Sequence, residues 1–364
     1  MKFCFLGGYD PAYPRNAVNR KGLVRAGAEV EACPSPGRLK FWARYPALAA
    51  RAARAWRGLR EDVDAVFFVP EFCQKDVPLA AALAFLARRR VVFDPLVSRY
   101  ETKILDWRRR PPGSLTAWWN FRIDSWAFRL AGLVLADTGE HKEYYCRTFG
   151  VPAGKVEVLP LGFDDDLFRP GPEQKRDPSR PFTVLFFGSF LPLHGADVVV
   201  RAAKLVADED RSIRFRIIGS GQTFPAVRAE ADRLGLRNVE FEGWTPAGRL
   251  PARIAEADLC LGIFGSTAKA ARVVPHKIYQ SLAMRKPLIT LRTPAVLEFF
   301  VHREHLFLCG APEPGPLAEA ILELRKDNAL RSRIADGGYA LVKERFSPEA
   351  VGRLLLAIVA RSKA

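Results

Sequence analysis

No C-x-x-C pair occurs in this chain; its six cysteines (Cys4, Cys33, Cys73, Cys146, Cys260 and Cys309) are scattered along 364 residues. That scatter excludes the common zinc motifs and a disulfide framework, and it fits reduced thiols. Long apolar runs are missing as well. The opening MKFCFLGGYD carries too short an apolar run for a signal peptide, and no stretch reaches the roughly 20 residues that span a bilayer. The expected location is therefore the cytoplasm. Acid is the scarcer charge, 40 Asp and Glu against 56 Lys and Arg, for a formal charge of +16. Such a balance implies an acidic partner: the phosphates of a small ligand, an anionic membrane surface, or nucleic acid. Nucleic acid is set aside, because no helix-turn-helix, zinc-finger or RNA-binding signature accompanies the charge.

What the chain does have is 49% hydrophobic residues arranged in a repeating order. Short apolar runs (Lys2–Leu6, Ala28–Ala32, Ala65–Val69, Val91–Asp94, Leu133–Ala136) alternate with segments of helical spacing, which is the order of a doubly wound parallel sheet. The first run ends in Gly7 and Gly8, and a helix is expected from Asn16 to Ala26. Arg15 and Asn16 fall near that helix start, where they would hold an anion or cap the helix. Asp94, Ser98 and Glu101 lie just past the carboxyl end of a strand, in the crevice where such sheets bind ligands, and are candidate substrate contacts. Asp137 and Thr138 are expected to cap a helix running to Phe149.

Two further stretches are basic and aromatic. From Phe41 to Leu59, Trp42, Tyr45, Leu48, Ala52, Ala55 and Trp56 recur at helical spacing among arginines, a basic amphipathic helix. The segment from Lys103 to Gly132 interleaves arginine with tryptophan. It suits a lipid headgroup layer, a stacking surface, or buried helix packing, and the residues alone leave these open. A proline-rich, charged stretch from Val156 to Phe182 then reads as a domain boundary. It gives a first domain over 1–165, a second over 166–345, and a terminal helix over 346–364 that crosses back to the first.

The second half repeats the order, with TVLFFGSF, FRIIGSG and VEFEGW as strands with glycine turns. Its most informative part is LGIFGSTAKAARVVPHKIYQSLAMRKPLITL: a strand over Leu259–Phe264, a small basic loop, a helix opening at Pro275, and a strand over Leu288–Leu291. Arg272, His276 and Lys277 crowd the helix N-terminus, where the macrodipole disfavours cations. An anion seated there would reconcile them.

Two α/β domains with a glycine turn after the first strand of each, joined by a proline-rich linker, resemble glycosyltransferase family 4. The resemblance rests on VLPLGFDDDLFRP, FFGSFLPLHGAD, RIIGSGQ and ARVVPHKIYQSLAMRKPLIT, in that order, and covers nearly the whole chain. It implies a GT-B fold, two doubly wound Rossmann-like domains facing each other across a cleft. It further implies retaining, metal-independent sugar transfer from a nucleoside-diphosphate sugar to a glycan, glycolipid or other hydroxyl acceptor, with no cofactor; the basic aromatic helices, for their part, permit peripheral association at an anionic membrane.

Carried onto this sequence, the resemblance makes Lys277 and His194 the groups that act on the leaving diphosphate. Gly8, Gly188, Ser189, Gly195, Gly219, Gly243, Trp244, Arg272, His276 and Gln280 become donor contacts, and Arg15, Asn16, Asp94, Ser98 and Glu101 acceptor contacts. His141 reads as a surface histidine or a sugar contact. The chain also departs from the family. Where the pattern is G-R-L-x-x-x-K-G, it has Gly188, Ser189 and, at the lysine position, His194; where the pattern is E-x7-E, it has Arg272 and Gln280. Lys277 is the expected compensation, and Gln280 can still pair with ribose hydroxyls, without the charge-assisted component. These losses motivate a second reading, a non-catalytic nucleotide-sugar or glycan binding protein or partner subunit.

Overall fold

The computed structural model describes residues 1–34, 45–53, 64–171 and 179–362. The chain forms two compact units: Met1–Gly162 together with Phe346–Ala364, and Phe163–Arg345. The crossover thus falls between Gly162 and Phe163, where the sequence reading set it after Asp165.

The first unit is built on a six-stranded sheet in the order β2-β1-β3-β4-β5-β6, every pair parallel. Its strands are β1 (Lys2–Gly7), β2 (Glu29–Pro34), β3 (Val66–Val69), β4 (Arg90–Phe93), β5 (Leu133–Ala136) and β6 (Val156–Val158). The sixth lies in the stretch that reads as linker, because three residues are too few to show a period. Helices α1 (Pro14–Arg25), α2 (Val77–Ala87), α3 (Leu115–Leu130) and α4 (Gly139–Phe149) connect the strands. α1 starts two residues before the expected Asn16, since Pro14 fits the first turn, where its missing N–H costs nothing. Thr138 caps α4, its hydroxyl accepting from the N–H of His141. Residues 45–53 of the expected basic helix are helical; the rest of that helix, and 172–178 of the linker, lie outside the described residues.

The second unit repeats the architecture in the order β12-β11-β10-β7-β8-β9, again all parallel. Here β7 is Phe182–Phe187, β8 Ile213–Ile218, β9 Val239–Glu242, β10 Leu259–Leu261, β11 Leu288–Leu291 and β12 Phe307–Cys309. Its helices are α5 (Ala196–Glu209), α6 (Phe224–Arg233), α7 (Leu250–Ala255), α8 (His276–Ala283), α9 (Pro294–Leu297), α10 (Pro314–Lys326) and α11 (Asn328–Arg345). β10 stops three residues short of Phe264 because the chain turns away to pair elsewhere: Phe264 donates to the His194 carbonyl at 3.1 Å and Gly265 to that of Leu193 at 3.2 Å.

The terminal helix, α12 (Pro348–Arg361), belongs to the first unit. It crosses α1 at backbone contact: a Cβ on Gly22 would meet the Pro348 carbonyl oxygen at 2.0 Å, and one on Gly352 would meet the carbonyl carbon of Gly22 at 2.1 Å. Val351, Leu355, Ile358 and Val359 of α12 are buried in the first unit's core. Gly22→Val should therefore force the helices apart and destabilise the protein by about 1–3 kcal/mol. Urea unfolding would measure this against Gly113→Ala, whose added carbon meets open space and should be neutral.

Candidate active site

In doubly wound sheets ligands bind beyond the strands' carboxyl ends, where the strand order reverses. In the second unit that point lies between β7 and β10, which are hydrogen-bonded neighbours. Three glycine turns interlock there. Gly188 closes β7 with φ +135°, and its N–H donates to the Ile218 carbonyl at 3.0 Å. Gly219, with φ +134°, closes β8 so near that a Cβ would lie 2.0 Å from the Gly188 carbonyl oxygen. Gly195 (φ +62°) presses on Phe264 and Gly265, where a Cβ would approach to 2.3 Å. A side chain at Gly195 or Gly219 would push the turns apart, and one at Gly188 would have to adopt a strained φ and press on Lys277.

Lys277, the second residue of α8, reaches into this corner. A Cβ on Gly188 would sit 3.2 Å from both Cε and Nζ of Lys277, and Nζ lies 4.0 Å from the centre of the Phe186 ring. The ammonium is buried and has no hydrogen-bond partner among the described residues. Burial pushes its pKa down to about 7, since the charged form has left water for an aromatic face. His194 is buried beside it, its Nδ1 against the Ser189 carbonyl; burial first, then Lys277 and Lys269, hold its pKa well below the ordinary value. The imidazole is thus neutral at pH 7, and the geometry makes Nδ1 the protonated nitrogen.

The other donor contacts expected from sequence lie in the same unit. Gln280 is buried one turn along α8, while Arg272 and His276 are half-buried before it. Ser189, Gly243 and Trp244 are exposed. Lys269, a buried cation of the small loop that acts on His194, was not among the expected site residues. Its only sequence signal is one cation among small side chains. Gly8 belongs to the first unit, and its N–H is taken by the Asp76 carboxylate at 2.8 Å.

The first unit's edge is different. The five expected acceptor contacts, Arg15, Asn16, Asp94, Ser98 and Glu101, are all buried to within 1%. They hold one another and their neighbours. Arg15 Nε donates to both Asp94 oxygens at 2.8 and 2.6 Å, with Asn19 on the same carboxylate at 3.0 Å. Asn16 Nδ2 donates to Glu71 at 2.5 Å, and Ser98 Oγ to Asp124 at 2.8 Å. Glu71 has its pKa pushed up to about 8 by burial and by Asp94.

His141 is fully buried rather than on the surface, because α4 turns it inward between two carboxylates. Nδ1 contacts Asp137, and Nε2 lies 3.3 Å from Glu101. Burial alone would lower its pKa, but Asp137 and Glu101 outweigh that and hold it up at about 9. No cluster of metal-ligating side chains was expected; the consecutive carboxylates of Asp164, Asp165 and Asp166 do come within 4.8 Å of one another, where Asp164 also accepts from the Asp166 N–H at 3.2 Å.

Two family models match the chain: a glycosyl transferase 4-like domain over residues 4–162 and glycosyl transferases group 1 over residues 181–327. The chain belongs to the group 1 glycosyltransferases. Over 320 residues this glycosyltransferase is 25% identical to the lipopolysaccharide core biosynthesis glycosyltransferase LpsD of Rhizobium meliloti, a match covering 83% of this chain and 85% of that one. It is 26% identical over 246 residues to the D-inositol 3-phosphate glycosyltransferase of Thermomonospora curvata, 62% of this chain and 56% of that one. Among solved structures it is similar to HepE of Anabaena in complex with UDP and glucose, with a TM-score of 0.72, 18% identity, and 99% and 100% of the two chains covered. The fold is that of the GT-B glycosyltransferases, two α/β domains each on a six-stranded parallel sheet.

The buried bases of this glycosyltransferase have opposite linkage signs. Lys277 is depressed from 10.5 to about 7, so its penalty is present in full below pH 7 and disappears above about 10.5. Lys277→Met should stabilise the ligand-free protein at pH 7 by on the order of 2–4 kcal/mol, with the gain fading as pH rises. His141 is raised from 6.5 to about 9, so its contribution is complete below 6.5 and lost through 9. His141→Gln should cost about 3–5 kcal/mol at neutral pH and less above 9. Urea unfolding of both variants from pH 6 to 10 checks the two slopes.

Proposed function

We propose that this glycosyltransferase moves a sugar, with retention and without a metal ion, from a nucleoside-diphosphate sugar to a hydroxyl of a cell-envelope glycan or glycolipid. The observation that carries the reading is the buried Lys277 ammonium at the Gly188 turn, which lies over the Phe186 ring and has no hydrogen-bond partner among the described residues. A buried cation is costly unless it is paired, and a diphosphate at the switch point would pair it. The UDP held by HepE makes uridine the first base to test. The envelope acceptor is favoured by the likeness to LpsD.

In this mechanism the bond from the anomeric carbon to the diphosphate breaks while a bond to the acceptor oxygen forms on the same face. The acceptor proton passes to an oxygen of the leaving diphosphate. Lys277 stabilises the charge that develops there, and Lys269 adds to the field. His194, already donating from Nδ1 to the Ser189 carbonyl, takes a proton on its other nitrogen as the anion arrives. Gln280, on the same helix face as Lys277, bonds the ribose hydroxyls. The neutral Ser189 and His194 at the family's Arg and Lys positions support the second reading, a protein that binds the nucleotide sugar without turning it over.

Diphosphate binding at pH 8 should take up on the order of two protons, one on Lys277, whose pKa of about 7 leaves it only about one-tenth protonated there, and one on the neutral His194. Calorimetry of UDP binding in buffers of different ionisation enthalpy measures this. Lys277→Ala should remove about one of these protons and weaken binding by roughly 10- to 100-fold. Binding that ignores Lys277→Ala, or no binding by any nucleoside diphosphate, sinks the donor site. Binding without hydrolysis or transfer of UDP-sugars favours the second reading.

A further inference from the structure

Helix α3 wears its apolar residues on the outside. One side packs on the first unit's core through Ala127 and Phe128, with Ala117, Ile123 and Asp124 also buried on it. The other side, free of such packing, runs Leu115, Trp118, Trp119, Arg122, Trp126, Arg129 and Leu130, residues whose spacing places them along one face of a helix. Leu115 is 87% exposed, and Trp118, Trp119 and Trp126 are 57, 46 and 39% exposed. The indoles form a continuous cluster, Trp118 stacked on Trp119 at 6.2 Å and Trp119 edge-on to Trp126 at 5.7 Å. The three tryptophans of α3 therefore do not serve buried helix packing, one of the three uses the sequence left open for this segment.

Its charge is of one sign. From Trp107 to Ala136 the sole acidic residue is Asp124, fully buried, whereas Arg108, Arg109, Arg110, Arg122 and Arg129 are all exposed. Arg122 lies over the Trp126 ring at 5.4 Å and Arg109 over Trp107 at 4.3 Å, so aromatic planes and guanidinium groups share the same surface.

We propose that this face of α3 seats the protein on the headgroup layer of an anionic bilayer, with the indoles at the boundary between headgroups and acyl chains and the arginines on lipid phosphates. Tryptophan favours that boundary because its ring is apolar and its N–H polar, and arginine extends to phosphate while its stem stays in apolar surroundings. A second copy of the chain is a poorer occupant. Two-fold pairing of this face would set Arg122 and Arg129 against the same residues of the partner with no acid on the face to compensate. The inference concerns attachment alone and stands apart from the donor site, since its readout contains no nucleotide.

The test is co-sedimentation of the full chain with vesicles of phosphatidylcholine alone or with about one-third phosphatidylglycerol, in low and high salt, alongside quenching of tryptophan by brominated lipid. The expected result is binding to the anionic vesicles that weakens with salt, with quenched indoles. Trp118→Ser with Trp119→Ser should lower the partition at least tenfold, and Arg122→Glu with Arg129→Glu should do the same while keeping the indoles. All four side chains are exposed, and unchanged thermal unfolding would confirm that each variant folds. Vesicle binding that survives both variants, or no binding to anionic vesicles, overturns the proposal. So does a concentration-dependent dimer in analytical ultracentrifugation that only the tryptophan variant abolishes, which would make the face a self-association surface.

Discussion

The second unit depends on how closely its backbone approaches itself at one corner. Gly188, Gly195 and Gly219 all adopt positive φ; Gly195 and Gly219 leave less room than a methyl group needs to the turn beside them, and Gly188 lies against the end of Lys277. With the turns drawn together, the carboxyl edge of the sheet offers a tight, glycine-lined corner, and α8 delivers Lys277 into it. A looser corner would let water reach the ammonium and relieve its burial. The perturbed base is thus a consequence of backbone packing, and chemistry that needs a cation in a dry place is built from residues having no charge of their own.

The two units treat buried charge in opposite ways. At the first sheet's edge, Arg15 and Asp94 neutralise each other, with Asn19 on the same carboxylate, and His141 is held between Asp137 and Glu101. Such a network is self-sufficient and fixes the loops after β4 and β5 in one arrangement. At the second sheet's edge Lys277 has no hydrogen-bond partner among the described residues, and the nearby imidazole is held neutral. The first edge pairs its buried charges internally, while the second leaves one to be met by the anion proposed above.

Sequence departures within the family take on a physical meaning in this light. His194 stands where the family pattern has lysine, yet burial next to Lys277 and Lys269 keeps it uncharged without a ligand. Lys277 already bears the cost of a buried charge, and a second permanent charge beside it would raise the cost of the ligand-free corner. A base that becomes charged only as an anion arrives avoids that cost.

Much of this was legible in the sequence. The alternation of short apolar runs with amphipathic segments determined two doubly wound sheets, because strand and helix periods are local properties of side-chain spacing. The glycines after the first strand of each half marked the turns, and the cations ahead of Tyr279 marked the corner into which Lys277 is buried. Tertiary structure alone decided the rest. Burial of Arg15, Asn16, Asp94, Ser98 and Glu101 depends on which loops meet at an edge, so side chains that look like free ligand contacts turned out to bind one another. β6 was too short to carry a period. His141 was read as a surface residue because one histidine has no pattern, and only the packing of α4 set it between two carboxylates. For α3 the sequence provided a stripe of tryptophan and arginine, but which side of a helix meets the core is settled by its neighbours, and here they left the indoles outside.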